Sequence, residues 1–171
     1  MTHLTSAHPR FADALRQRGL GGVEIRSFPE GTRTAVEAAN AVGCALDQIV
    51  KSLVFEVDGV PWVVLTGGAS RVDVELVRAE CGAHTVRQAT AETVRTATGY
   101  AIGGVPPFGH ATALPVLADQ GLLAHERVWA AAGTPHTVFA VPPRALVAYA
   151  DARLAGVREL SEPEPGLRAP G

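Results

Sequence analysis

Of the fifteen basic residues in this chain, fourteen are arginines and one is a lysine, Lys51. A solvated surface charge is served by either residue. A compact ammonium whose pKa can be tuned is something only lysine supplies. Lys51 sits in the apolar run Ile49-Val50-Lys51-Ser52-Leu53-Val54-Phe55. Side chains alternate along a strand, so Lys51 shares a face with Ile49 and Leu53. Such a lysine either reaches water from a strand end or points into a pocket. In a pocket its ammonium would attract a phosphate, a carboxylate or a carbonyl oxygen gaining charge in a transition state.

A second segment complements it. Residues 99–109 hold four glycines and two prolines in eleven positions, which excludes regular structure there. Within it, Gly103-Gly104-Val105-Pro106-Pro107-Phe108-Gly109 joins glycines, which let backbone N–H groups approach a ligand, to prolines, which lower the entropy lost on binding. The same composition would serve a tight structural turn.

Other chemistries find little support. There is no phosphate-binding P-loop, no dinucleotide fingerprint and no Gly-x-Ser-x-Gly elbow. The six histidines, at 3, 8, 84, 110, 125 and 136, include no pair four residues apart, and Cys44 and Cys81 are too distant in sequence for a zinc pattern. Neither a metal nor a catalytic cysteine is expected.

The positioning elements follow from periodicity and punctuation. Helices are predicted over 3–20, over Ala35–Val42 with Thr34 and Glu37 as a capping box and Gly43 as its stop, from Asp73 to Glu80, from Thr90 to Thr98, and from Pro142 to Tyr149. Strands are predicted at Val23–Phe28, Ile49–Val57, Val60–Thr66, His84–Val86, Leu114–Leu117 with Asp119 near its end, Arg127–Ala132, Thr137–Val141 and 154–157. Asp58-Gly59 is a two-residue hairpin turn, and the apolar content of both arms puts that hairpin at the centre of the sheet. Pro29-Glu30-Gly31 reads as a turn. Strands and helices mix without strict βαβ alternation, so the expected class is α+β, with a curved mixed sheet.

Composition bounds the rest. The chain has 171 residues, 47% of them hydrophobic, which suits one domain over 1–160 and a frayed tail over 161–171. No apolar run reaches the roughly 18 residues of a membrane span, and no secretory leader is visible before or after Arg10, Arg16 and Arg18. With two cysteines, a reduced, cytoplasmic setting is expected. The net charge of −2 argues against wrapping duplex nucleic acid; a small contact with it remains compatible.

The runs Thr34-Ala35-Val36-Glu37-Ala38-Ala39 and Gln48 to Phe55, then Thr98-Gly99-Tyr100, Gly103 to Gly109, and Leu114-Pro115-Val116 with Asp119, resemble in order the YbaK/ProX family. That family is also the editing domain of bacterial prolyl-tRNA synthetase. The resemblance spans about residues 23 to 157. It implies a barrel-like mixed-sheet fold and hydrolysis, in trans, of the ester joining a wrong amino acid to tRNA, without a metal, other cofactor or covalent nucleophile. Lys51 matches the family's essential lysine and Gly103 to Pro107 its Gly-x-x-x-Pro loop. Lys51, Gly103 and Gly104 are the expected catalytic residues, the two glycines offering N–H groups to the ester carbonyl. Phe28, Thr34, Ser52, Pro107, His110, Asp119 and His136 are expected around the substrate, His136 falling where some members carry a pocket histidine. Arg33 or Arg71 would meet phosphate.

The acidic residue of members acting on cysteinyl-tRNA is replaced by Thr137 or Val138, and Ser52 stands where alanyl-specific members often have Asn. The expected substrate is tRNA-Pro or another tRNA mischarged with Ala, Ser, Thr, Cys or a small non-protein amino acid. The expected partners are the tRNA acceptor end and a synthetase, with no membrane. Two alternatives are a non-catalytic module binding an aminoacyl or nucleotide ligand and an adaptor docking on a synthetase.

Overall fold

The computed structural model describes residues 6–28 and 34–159. The expected turn at 29–31, Arg33 and the 161–171 tail lie outside them. Among the described residues there are five α-helices: α1 (Pro9–Gln17), α2 (Ala35–Val42), α3 (Val74–Cys81), α4 (Ala91–Thr98) and α5 (Pro143–Tyr149). Eight strands accompany them: β1 (Ile25–Ser27), β2 (Ile49–Val57), β3 (Val60–Gly67), β4 (Val86–Gln88), β5 (Val116–Asp119), β6 (Val128–Ala131), β7 (Thr137–Val141) and β8 (Arg153–Ala155).

The strands form one mixed sheet in the order β1-β7-β6-β2-β3-β5-β8, with β4 paired to β2. The β2–β3 hairpin lies at its centre, as the sequence predicts. Asp58 and Gly59 both have positive φ, 49° and 81°, the geometry of the turn that matches strand twist. β2–β6, β3–β5 and β5–β8 run parallel; β1–β7, β6–β7, β2–β3 and β2–β4 run antiparallel.

Nearly every strand feeds one interior cluster. Ile25, Val54, Leu65, Ala118, Ala130 and Phe139 pack there with Phe11 and Leu15 of α1, Val94 of α4 and Leu146 of α5. Strands from β1 at one end of the sheet to β5, next to the other end, reach one cluster only if the sheet curves around it. On the outer face, α3 seals Val64 and Leu117 through Val77. There α2 lays Ala38 and Ala39 against Ile49, Trp129 and Ala140. Alanines at that contact let helix and sheet approach closely.

Local signals set most boundaries. Thr34 Oγ1 accepts from Glu37 N at 3.1 Å, and Gly43 closes α2. Asp73 and Thr90 cap α3 and α4 through their side chains. Four expectations need correction. The first helix begins at Pro9, with His8 as its cap in an extended conformation (ψ 137°), because the residue before a proline is driven out of the helical region. The β4 strand starts at Val86, since Asp58 Oδ1 accepts from both His84 N (3.0 Å) and Thr85 N (2.8 Å) and turns the chain there. The strand after Pro115 runs Val116–Asp119, so Leu114 precedes it, and the last strand is Arg153–Ala155. Two short 3-10 turns, Leu46–Gln48 and Gln120–Ala124, were not predicted. No helix among the described residues is long and apolar enough to cross a membrane.

Candidate active site

A cleft of about 290 Å³ opens where β2 meets α2, the β6–β7 turn and the glycine loop. All six residues from Ile49 to Val54 line it. A cavity on one face of a sheet would meet alternate residues. Six in succession means that the cleft lies at an edge of β2 and reaches both faces. Val50, Val54, Ala89, Val94 and Val105 line it and also belong to the interior core, so its floor is apolar. Polar groups come from Lys51, Ser52, Thr34, Gln88 and Thr137.

Lys51 is half-buried, and its Nζ donates to the carbonyl oxygen of Ser70 at 2.6 Å. Burial holds the Lys51 pKa below the usual lysine range; the nearby Arg71 pushes the same way, and Asp47 opposes them. Ser70 is held in turn. Its Oγ lies 3.4 Å from Asp47 Oδ1, while Asp47 Oδ2 lies 3.2 Å from His125 Nε2 and 3.6 Å from Arg158 Nη2. The loop carrying Ser70 packs tightly on the segment before β2. A Cβ on Gly67 would collide with Asp47, and one on Gly68 would lie 2.5 Å from Leu46 O. The ammonium is therefore positioned by a loop that glycines let settle against the 46–49 segment. Two buried hydroxyls beside it, Ser52 Oγ and Thr66 Oγ1, have no hydrogen-bond partner among the described residues.

The glycine loop divides its roles. Gly103 lines the cleft, with φ +89°. Gly104 does not line it. Its N–H donates to Ala101 O at 2.9 Å, closing a turn, and is not available to an ester oxygen. A Cβ on Gly104 would lie 2.9 Å from Thr134 C and 3.0 Å from Pro135 N. Gly104 thus lets this loop meet the β6–β7 turn, which corrects its expected role as a donor.

Of the expected substrate neighbours, Phe28, Thr34 and Ser52 line the cleft. Four other expected substrate neighbours do not. Pro107 is buried in the loop. His110 Nε2 lies 2.8 Å from Pro106 O and braces the loop from behind; burial is the main force lowering its pKa. Asp119 is 1% exposed and binds Gly121 N, Val157 N and Arg158 Nε at 2.8–3.0 Å, fastening the C-terminal segment. His136 is exposed, between Pro135 and Thr137, which do line the cleft. Its carbonyl accepts from Phe28 N at 2.7 Å. Arg71 is exposed beside Ser70. Among the described residues no three His, Cys, Asp or Glu side chains gather as metal ligands.

Sequence reasoning missed Asp47, Ser70, Gln88 and Ile102. A signal existed for the first two: the Gly67-Gly68 pair at the end of the strand that faces Lys51.

The profile of the aminoacyl-tRNA editing domain matches residues 29–149. The chain belongs to the aminoacyl-tRNA editing domain family. Its fold is the editing-domain fold. The structure of a proposed trans-editing enzyme for prolyl tRNA synthetase superposes with a TM-score of 0.84 at 45% identity, covering 88% of this chain and 95% of that one. The proline–tRNA ligase of Shouchella clausii (strain KSM-K16) is 33% identical over 167 residues, 95% of this chain and 29% of the ligase. This editing domain therefore spans less than a third of that relative. The uncharacterized protein YwhH of Bacillus subtilis (strain 168) is 29% identical over 124 residues, 72% of this chain and 78% of YwhH.

Proposed function

We propose that this editing domain is a deacylase acting in trans: it hydrolyses the ester between a small amino acid and the 3′ end of a tRNA, with tRNA-Pro as the first candidate carrier. The observation that carries the reading is the single lysine of the chain, held by a carbonyl at the wall of a small cleft with an apolar floor. A free ammonium has three N–H donors. One of Lys51's is spent on Ser70 O. Two remain for the oxygen-rich substrate, either the terminal phosphate or the ester carbonyl.

In the reaction, a water oxygen adds to the ester carbonyl carbon. The bond from that carbon to the ribose oxygen then breaks. The ribose oxygen takes up a proton, and the amino acid leaves as its carboxylate. Lys51 serves as anchor and electrostatic stabiliser, since an ammonium has no lone pair to act as a base. No imidazole among the described residues lines the cleft, so the attacking water passes its proton to the substrate's own ribose hydroxyl or to solvent. Size selection follows from the cleft. A synthetase pocket separates side chains differing by one methylene only about 10–200-fold, and a second small site removes the misfits.

The test is a panel of tRNAs charged with Ala, Ser, Thr, Cys or Pro, with Lys51→Ala and Lys51→Arg alongside. Selective deacylation that both variants lose by roughly 100-fold or more, the scale of removing one electrostatic stabiliser, supports the reading. No deacylation of any tRNA by the folded protein would overturn it in favour of a binding module.

A further inference from the structure

β2 is bonded to β3 along one edge, over Val50–Val57. Its other edge is shared. β6 pairs with Ile49 and Val50, and β4 pairs with Phe55 to Val57. Ala89 N donates to Val54 O at 3.0 Å and extends the β4 side by one bond. Between the two ladders a short stretch of edge is left over, and it lies in the cleft.

Which main-chain groups point there is fixed twice. Val54 O accepts from Ala89, so Val54 directs its N–H and C=O away from β3. Val63, directly opposite Val54, donates its own N–H outward to Pro115 O at 3.0 Å. Residues two apart on a strand present their main-chain groups to the same edge. Ser52 therefore aims both its N–H and its C=O into the gap. The β6 ladder ends at Val50–Ala130 and the β4 side at Val54. Neither reaches Ser52.

We infer that the Ser52 main chain reads the α-amino acid unit of the substrate as if it were one residue of an added strand. The α-ammonium donates to Ser52 C=O, and the ester carbonyl accepts from Ser52 N–H. The inference rests on the deacylase reading and deepens it. The substrate class is an aminoacyl ester with a free α-amino group; N-blocked esters, such as formylated or peptidyl ones, lack the charged donor and add bulk in a gap one residue long. The same N–H gives the carbonyl oxygen the donor that Gly104 does not supply. Charge crowding is limited, because Lys51 Nζ is drawn toward Ser70, which follows β3 rather than this edge.

Two measurements test it. The first compares deacylation of the best aminoacyl-tRNA of the panel with its N-acetylated form. Losing one charge-assisted hydrogen bond predicts a fall in kcat/KM of roughly 10- to 100-fold. Equal rates would overturn the inference and leave the deacylase reading standing. The second uses ¹⁵N-labelled protein and two stable probes, 3′-deoxy-3′-(L-alanylamido)adenosine and its propionyl counterpart, which lacks only the amino group. The alanyl probe should shift the Ser52 amide resonance and bind more tightly by a similar factor. Affinities within about 3-fold of each other, or no shift at Ser52, would overturn the inference. Preferential binding of the alanyl probe by a protein that deacylates nothing would sustain it and sink the catalytic reading.

Discussion

Replacing Gly104 with alanine separates packing from catalysis at the glycine loop. The exchange keeps the N–H, and Gly104 is not in the positive-φ region, so alanine is conformationally permitted there. What changes is space. The new Cβ would meet Thr134 C at 2.9 Å and Pro135 N and Thr134 Cα at 3.0 Å. All three are backbone atoms that cannot rotate aside, so the two loops must part. Overpacking of this kind costs about 1–3 kcal/mol, and the stiffer unfolded chain returns about 0.4–1 kcal/mol. The net loss is about 1–2 kcal/mol, or roughly 2–8 °C in Tm for a domain this size. Gly103→Ala makes an instructive partner. Its Cβ finds nothing nearer than Pro135 Cβ at 3.9 Å, but φ is +89°, so its cost, about 1–2 kcal/mol, is strain rather than collision. Urea unfolding at constant m reads both losses. Because Gly103 and Pro135 line the cleft, kcat/KM of Gly104→Ala should fall as the walls part. If Gly104→Ala is within about 0.3 kcal/mol of the parent, the two loops take the extra carbon without parting and the packing argument is wrong.

Asp119→Asn should destabilise by about 1–3 kcal/mol, because three donors lose a charged acceptor while Arg158 keeps water and Asp47 as partners, and the kcat/KM of the molecules that remain folded is kept; a selective activity loss in a stable variant would return Asp119 to the substrate. Asp47→Asn should leave most stability in place but lower kcat/KM several-fold, by loosening Ser70 and with it Lys51; unchanged kinetics would sever that link. Tyr100 supplies a pH test. Burial raises its pKa from 10.0 to about 12, so above pH 10 the unfolded chain sheds a proton that the folded one retains. Stability should fall from pH 10 to 12, by roughly 2–3 kcal/mol in all, and Tyr100→Phe should flatten that decline in unfolding experiments.

Where a boundary depends on neighbouring residues, the sequence was legible. Thr34 and Gly43 bracket α2, and Asp58-Gly59 sets the register of β2 on β3. Lys51, Ser52, Phe28, Thr34 and Gly103 could be placed at the cleft from the strand pattern, the glycine loop and the family resemblance together. What escaped was long-range. Asp47 braces Ser70 from 23 residues away, and Asp119 holds Val157 from 38 away. Neither separation follows a local period. Gly104 misled for a related reason: a glycine chosen so that two loops can touch looks, in one dimension, like a glycine chosen to bare an amide.

The parallel pairing of Ile49 and Val50 with Trp129 and Ala130 has a consequence for how the domain is made. The wall that bounds the cleft is contributed by chain synthesised some eighty residues after Lys51. Contacts so distant in sequence close late and slowly, after the loop entropy between them has been spent. During translation, the lysine and its strand must wait on the ribosome with one edge open until β6 and β7 arrive. Deacylation should therefore switch on abruptly once β7 has emerged, and fragments that stop short of Val141 should have none.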